Sequence, residues 1–575
     1  MDIGMNDINA LYTLWREKAV LDPDLKAELD AVAGQEDEVL DRFYRNLAFG
    51  TAGLRGVIGA GTNRMNLYTV NQATQGLADF LNARYAAPQV AIAYDSRIKS
   101  DLFAREAAGV LAANGIVVHF FRELVPTPML SFAVRRLRCQ SGIIITASHN
   151  PAKYNGYKCY DPEGYQMTDE AAEETYRCIQ KVDLFEGVKR MDFDEACRDG
   201  RIRFIEDSLI EEFYTRVLSQ RVNPEVCANA GLKVIYTPLN GTGNKPVREV
   251  LHRAGIADVK VVPQQEHPDG NFPTCPFPNP EIRQAFECAL EMAKAHPADL
   301  LLATDPDCDR VGIAVRDGEE YRLMSGNEVG ALLADYLLSQ RKAKGMLPKK
   351  PVVVKTIVTT QLVAAIADQY GAQTVDLLTG FKYIGELVTK LEKKGEADRF
   401  IIGMEESYGY LSGTHARDKD AVVASLLICE MASYYKQQGK TLLQVMDALY
   451  EAHGMYLSSL LNFGFEGAEK MEGMMRALRT QPPKEIGGMP VALLYDYQAR
   501  VVTDMISGVQ REITLPESNV LSYKLPGGSG VIVRPSGTEP KIKVYITARD
   551  KTREKAQRLT DALAADMKRY MNIEG

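Results

Sequence analysis

Residues 89–120 read QVAIAYDSRIKSDLFAREAAGVLAANGIVVHF. Val90-Ala91-Ile92-Ala93 is an apolar run of strand length, and Ile116-Val117-Val118 is a second. Between them the stretch from Phe103 to Ala113 reads as a helix. Strand, helix and strand in so short a span make βαβ material, the unit of an α/β domain. A third apolar run, Ile143-Ile144-Ile145, follows as another strand.

The alternation recurs outward along the chain. Leu232 to Tyr236 is predicted as a strand, Asn244 to Arg253 as a helix and Val259 to Val262 as a strand. Ile282 to Ala295 then reads as a helix and Leu300 to Ala303 as a strand. Val352 to Ile357, Thr374 to Leu378 and Phe400 to Ile402 are further strands, with helices between. Three α/β units of about 120–150 residues result, with no period strict enough to establish repeats. Residues 8–45 look like helical packing material, with Leu11, Leu14, Trp15 and Val20 at helical spacing. The tail differs: residues 491–545 carry several short strands, Gly527, Gly528 and Gly530 make a turn, and a charged helix from Thr552 to Tyr570 closes the chain. The expected divisions are a helical extension (1–45), α/β domains at 46–205, 206–325 and 326–455, and a smaller α+β domain (456–575).

At 575 residues with 25% charged and 46% hydrophobic residues, the chain has ordinary globular composition. A net charge of -8 argues against general nucleic-acid binding, so an anionic ligand must be met by local basic patches. Nine scattered cysteines, none in a C-x-x-C pair, support neither zinc nor a disulfide framework. No apolar run approaches the ~20 residues of a membrane span. The opening residues lack a basic n-region followed by an apolar h-region. A reduced, cytoplasmic setting is expected.

Four segments carry chemistry. Asp305-Pro306-Asp307-Cys308-Asp309-Arg310 places three carboxylates at alternate positions after the buried-looking strand Leu300 to Ala303. A loop at the C-terminal end of such a strand faces the ligand crevice, and hard oxygen donors suit Mg²⁺. A solvated acidic turn is the alternative. An EF-hand fails because Arg310 and Arg316 stand where it needs Gly and Glu. Thr146-Ala147-Ser148-His149-Asn150-Pro151 follows a strand in the same way. On the residues alone a capping turn is the better reading, and sequence neighbours such as Ser148 and His149 are not expected to face each other. Arg534-Pro535-Ser536-Gly537-Thr538-Glu539-Pro540 offers a guanidinium, hydroxyls and a Gly-freed backbone to a phosphate. Gly403-Met404-Glu405-Glu406-Ser407-Tyr408-Gly409 places acceptors and a hydroxyl at another strand end, where they suit sugar hydroxyls or an acidic helix N-terminus equally. Arg55, Arg97, Lys158 and Lys382 lie in or beside turns, as surface charges or as anion ligands.

In this order, T-A-S-H-N-P, D-x-D-x-D-R, G-x-E-E-S-x-G and R-P-S-G-T-E-P, the segments closely resemble the α-D-phosphohexomutase superfamily, one motif per domain over nearly the whole chain. T-A-S-H-N-P with E-E-S-Y-G is similar to its phosphoglucomutase branch, whereas phosphomannomutases more often carry G-E-M-S-G-H at the third site. Length and the F-G-T-A-G-L-R-G segment resemble the longer phosphoglucomutases, a group that includes phosphopentomutases. Met404 departs from the Gly of many relatives.

The resemblance implies three similar α/β domains with mixed sheets and a smaller C-terminal α+β domain, arranged around a central cleft. It implies interconversion of α-D-glucose 1-phosphate and glucose 6-phosphate, with glucose 1,6-bisphosphate as intermediate and activator. Phosphopentomutase activity and a phosphomannomutase side activity are the alternatives. Ser148 would carry the phosphoryl group and, with Asp305, Asp307 and Asp309, ligate Mg²⁺. Arg55, Lys158 and Arg310 would support transfer, with His149 and Lys158 as proton carriers. Glu405 and Ser407 would hold sugar hydroxyls. Arg534, Ser536, Gly537 and Thr538 would grip the idle phosphate, with Arg97 and Lys382 also contacting substrate. The expected partners are small sugar phosphates, with no nucleic acid or membrane, for a monomer or weak homodimer.

Overall fold

The computed structural model describes residues 5–50, 53–536 and 540–571. They fall into two compact units. The first comprises Met1–Ser325, Ile384–Ile402 and Ser407–Gly439, the second Gly326–Tyr383, Gly403–Glu406 and Lys440–Gly575.

The first unit contains a mixed six-stranded sheet in the order Gly53–Val57, Tyr154–Tyr160, Ser141–Ile145, Gln89–Tyr94, Val117–Phe120, Ile202–Phe204. The last four strands are parallel, and Tyr154–Tyr160 runs antiparallel to both its neighbours. Helix Ser100–Ala113 buries Phe103, Ala104, Ala107, Ala108 and Leu111. Its many alanines let the helix backbone lie close to the strands. Helix Leu67–Arg84 starts at Asn66, whose side chain accepts from the N–H groups of Tyr68 and Thr69 in a capping box.

A second sheet in the same unit has the order Glu320–Met324, Val311–Asp317, Leu300–Thr304, Lys233–Thr237, Asp258–Val261. Leu300–Thr304 is buried throughout and pairs antiparallel with Val311–Asp317. The acidic segment is therefore a tight connection on the end of a core strand. The stretch expected as one helix from Ile282 opens as a 3₁₀ turn, Arg283–Phe286, before the α-helix Glu287–Ala295.

Three N-terminal helices, Met5–Lys18, Pro23–Ala31 and Glu36–Phe43, pack against Ala60, Tyr68, Leu184 and Phe185. Trp15 is fully buried, with its ring edge-on to Phe43, Tyr68 and Phe185. Leu14 and Val20 were expected to pack beside it, yet both are exposed. Leu14 lies on the outer side of its helix and Val20 beyond that helix's end at Lys18. The Lys99 ammonium pairs with Asp22 and, at 2.9 Å, with Asp24. The Ala60 N–H donates to Glu28 Oε2 at 2.8 Å.

In the second unit, Val352–Thr356 and Gln373–Leu377 pair in parallel. A seven-stranded antiparallel sheet follows, ordered Met455–Gly464, Lys541–Asp550, Gly530–Pro535, Leu521–Lys524, Leu493–Asp496, Val501–Asp504, Gln510–Glu512. Helices Ala468–Thr480 and Arg553–Tyr570 cover it through Met475, Leu478, Leu563 and Met567. Strand Met455–Gly464, which pairs along its full length with Lys541–Asp550, was not expected from sequence. Its middle residues alternate between partly buried and exposed, so it lacks a run of core residues.

All nine cysteines are free. Among the described residues no helix is long and apolar enough to cross a membrane.

Candidate active site

Strand Ser141–Ile145 is buried along its whole length and delivers Ser148 to the sheet's C-terminal edge. Ser148 has φ 52°, in the left-handed region. For a residue with a Cβ this costs roughly 1–2 kcal/mol, the kind of strain stored at functional loops. Its N–H donates to Thr146 Oγ1 at 2.9 Å. The conformation sends the hydroxyl onto Asp305 Oδ2 at 2.7 Å and brings it 3.1 Å from His149 Nδ1. Ser148 and His149 therefore do face each other, because the left-handed turn removes the alternation that normally separates neighbours.

The acidic connection is held just as tightly. Cys308 at its centre also has positive φ, 52°. The N–H groups of Asp309 and Arg310 donate to Asp305 Oδ1 at 3.1 and 3.0 Å. Asp307 Oδ2 accepts from Lys158 Nζ at 2.9 Å and from Thr127 Oγ1 at 3.0 Å. Asp309 Oδ2 lies 3.1 Å from Lys419 Nζ. All three aspartates are buried, and one ligand oxygen from each lies within 4.8 Å of the others.

The second oxygens of Asp307 and Asp309, both Oδ1, are buried without a hydrogen-bond partner. Unsatisfied carboxylate oxygens at this depth are costly, and a hard cation shared by the three carboxylates removes that cost. The donor set thus fits a metal ion. Burial and the Asp307 and Asp309 charges push the Asp305 carboxyl well above the usual range. Burial pushes Asp307 up too, but the Lys158 charge and hydrogen bonds from Asp305 and Lys158 outweigh it and hold the Asp307 carboxyl below the usual range.

Cations ring the trio. Lys158 stands on strand Tyr154–Tyr160, beside Asp307 and, at 4.0 Å, Asp309. Arg310 lies 3.7 Å from Asp309 and pairs with Glu281 at 2.7 Å. The protein packed around Arg55 and the Arg310 charge lower the Arg55 pKa, against Asp307 and Asp309, which places Arg55 in the same group. Burial, then Arg310 and Arg55, pull His149 well below the ordinary histidine value, so the ring is neutral.

Arg97 departs from expectation. Its guanidinium is fully buried beneath the serine loop and donates to four backbone carbonyls there, so it faces no substrate.

Lys419 was missed in the sequence. It lies in His415-Ala416-Arg417-Asp418-Lys419-Asp420, which reads as a solvated charged turn but is buried throughout. Lys419 Nζ is 3.1 Å from Asp418 as well as from Asp309, and Tyr160 donates to Asp418 at 2.6 Å. Density of opposite charges in one short segment was the only available signal.

In the second unit, Glu405 Oε1 accepts the Gly380 N–H at 2.9 Å. Glu406 Oε2 accepts from Thr356 and Thr359 at 3.1 and 3.4 Å. Met404 is fully buried, so its side chain belongs to the core and not to a sugar surface. Lys382 Nζ sits 5.1 Å from the centre of the Tyr383 ring. Arg534, on strand Gly530–Pro535, hydrogen-bonds Tyr545; burial and Glu406 push that phenol up to about 12. The Ser536 N–H donates to Lys541 at 2.7 Å. Gly537 and Thr538 lie outside the described residues.

Ser407 is half-buried and counted with the first unit. Just after it the chain joins the acidic connection: Val311 N–H donates to the Tyr408 carbonyl at 3.1 Å, and Arg310 bridges to Gly409.

Comparison with known proteins matches four successive segments to "Phosphoglucomutase/phosphomannomutase, alpha/beta/alpha" domains I (residues 46–186), II (211–318) and III (325–453) and to the "C-terminal domain" (497–565). The chain belongs to the phosphoglucomutase/phosphomannomutase family. Within this family it is 36% identical over 516 residues to a phosphoglucomutase of Staphylococcus saprophyticus, across 89% of this chain and 92% of that one. Two solved structures share the fold. A phosphoglucomutase/phosphomannomutase family protein from Burkholderia thailandensis has TM-score 0.66 and 18% identity, covering 91% of this chain and 97% of that one. Parafusin from Paramecium has TM-score 0.67 and 16% identity, covering 92% and 95%. Ser148, the aspartates, Glu405 and Arg534 fall one group to each family domain, whereas the N-terminal helices precede the first match.

Proposed function

We propose that this phosphoglucomutase/phosphomannomutase family member interconverts α-D-glucose 1-phosphate and glucose 6-phosphate through a phosphoserine at Ser148, with Mg²⁺ on Asp305, Asp307 and Asp309. The observation that carries the reading is the Ser148 hydroxyl, 2.7 Å from the first of three buried carboxylates, two of which keep an unbonded oxygen.

In the first half-reaction the bond from phosphorus to Ser148 Oγ breaks and one to a sugar oxygen forms, and the sugar hydroxyl proton passes to a base. In the second, the bond from the other phosphate of glucose 1,6-bisphosphate to its sugar oxygen breaks, the bond to Ser148 Oγ re-forms, and the base returns the proton to the freed sugar oxygen. Charge spreads over the phosphoryl oxygens in the transition state, and fixed cations aimed there stabilise it. Lys158, Arg55 and Arg310 are the residues assigned to this. When bound, the cation neutralises charge that three carboxylates and a phosphoserine could not otherwise share. His149, neutral, is the group proposed to take and return the proton, with Lys158, as an ammonium, the candidate proton donor.

Glu405 and Ser407 are assigned to sugar hydroxyls, with Lys382 beside them. Arg534, with Ser536, Gly537 and Thr538, is assigned to the idle phosphate. A planar guanidinium meets two phosphate oxygens and ignores which sugar carbon bears them, as an anchor serving both orientations of a bisphosphate requires.

The test is to incubate the protein with glucose 1-phosphate and Mg²⁺, then with a chelator. Glucose 6-phosphate without stoichiometric free phosphate, abolished by chelation and restored by Mg²⁺, is expected. Release of free phosphate instead would mean a phosphatase, and full activity after exhaustive chelation would remove the metal.

A further inference from the structure

We infer that Asp95 and Arg97 form a positioning pair that sets the backbone of Ser148 for phosphoryl transfer without touching substrate. The inference rests on the reading of Ser148 as the phosphoryl carrier.

Arg97 Nη2 donates to the carbonyls of Ser148 and Asn150, and Nη1 donates to those of Pro151 at 3.1 Å and Tyr154 at 3.0 Å. One side chain thus spans the loop from the serine to the next strand. Its Nε faces Asp95 Oδ2 at 3.4 Å, and both side chains are 0% exposed. The guanidinium lies 5.1 Å from the centre of the Phe272 ring. The four Nη bonds go to carbonyls, and the buried Nε, without a hydrogen bond of its own, is met by the Asp95 charge.

Asp95 fixes the pair from below. Its Oδ1 accepts the Arg97 N–H at 2.9 Å and the Ser100 hydroxyl at 2.8 Å. Its own N–H donates to the Ile145 carbonyl at 3.1 Å, which ties it to the strand that delivers Ser148. The Thr146 hydroxyl that accepts the Ser148 N–H also stands against the Asp95 carboxylate. Both backbone polar groups of Ser148 therefore lead to one short segment, the carbonyl to Arg97 and the N–H through Thr146 to Asp95.

The segment is braced from outside. A Cβ on Gly270 would come 2.4 Å from the Ile98 nitrogen and 2.8 Å from the Arg97 carbonyl carbon, so the second sheet's loop is pressed directly onto it. Lys99, with φ 62°, is latched to Asp22 and Asp24 of the N-terminal helices.

A left-handed serine persists only where its surroundings over-determine it. Loosening Arg97 lets Ser148 relax, moving Oγ relative to Asp305. Misplacement of about 1 Å costs on the order of 100-fold in rate. Substrate affinity stays, because the pair meets no ligand. Lysine keeps the charge but has three donors on a point, not a planar fork.

The experiment compares wild type with Arg97→Met, Arg97→Lys and Asp95→Asn by kcat and KM for glucose 1-phosphate, and by hydrogen exchange of the 146–154 segment. Expected are a kcat fall on the order of 100-fold in Arg97→Met and roughly 10-fold in the other two. KM should stay within about twofold in all three, and exchange at 146–154 should quicken. A raised KM with kcat preserved would make Arg97 a substrate ligand and overturn the inference, as would wild-type kcat in any soluble variant. If Arg97→Met does not fold, the two milder variants decide. Wild type without mutase turnover would sink the functional reading instead. The exchange result then still stands for or against the positioning role: quickened exchange supports it, unchanged exchange in all variants refutes it.

Discussion

Removing one charge from the aspartate trio should make the metal-free protein more stable and its metal response weaker. The perturbation is Asp305→Asn. At an effective dielectric constant of about 20, two carboxylates 4.8 Å apart repel by about 3.5 kcal/mol. Asp305 faces two such neighbours, so roughly 7 kcal/mol acts on it before offsets. Arg310 offsets part of this. Three hydrogen bonds accepted by its oxygens also weaken on neutralisation, by about 1 kcal/mol each. The net expectation is a gain of about 1–3 kcal/mol without metal.

The pH dependence has a definite sign. Asp305 holds its proton above the value of an unfolded aspartate, about 3.9. The folded state then binds more protons than the unfolded one, and stability falls as pH rises through that window. Asp305→Asn lacks this decline. Metal reverses the order: ligand at 100 times its dissociation constant stabilises by ~2.7 kcal/mol, and a site missing one carboxylate loses most of that. Urea unfolding read by Trp15, the one tryptophan and buried in the same unit, measures both effects. A variant less stable than wild type in chelator at neutral pH, or one with the same Mg²⁺ shift, would refute the reasoning.

Arg534→Ala should weaken substrate binding more than Arg534→Lys and let more sugar bisphosphate escape per turnover; wild-type KM with no added leakage would move the anchor elsewhere. Glu405→Gln should lower kcat/KM for hexose phosphates by roughly 10–150-fold, from charge-assisted bonds worth about 1.5–3 kcal/mol. Unchanged kcat/KM on every sugar would place it outside the site. His149 is held neutral when folded but has an ordinary pKa unfolded, so it contributes stability above about 6.5 that is lost as pH falls below it. An NMR titration showing this ring protonated at its ordinary value would contradict the assignment.

The strand-and-helix alternation was readable because core strands such as Val90–Ala93 and Leu300–Ala303 are buried on both faces and so appear as uninterrupted apolar runs. Met455–Gly464 escaped notice because it alternates weakly at one edge of an antiparallel sheet. The aspartate trio was legible because its ligands are local in sequence. What brings Lys158, Thr127 and Lys419 to it is long-range pairing, with separations of 149 residues for Lys158 and 180 for Thr127, which no local pattern encodes. Arg97 looked like a ligand because a charge in a turn is usually exposed. Its burial depends on four carbonyls of a distant loop converging on it. The Ser148–His149 contact depends on a positive φ that nothing in T-A-S-H-N-P announces.

The central claim is that Ser148 carries the phosphoryl group between sugars. The most direct test charges the protein with glucose 1,6-bisphosphate labelled in phosphate, locates the label by proteolysis, and chases with unlabelled glucose 1-phosphate. The account predicts label on the peptide containing Ser148, its transfer into sugar phosphate during the chase, and neither in Ser148→Ala, whose turnover should be almost nil. Label on another residue, or near-normal turnover by Ser148→Ala, would contradict it.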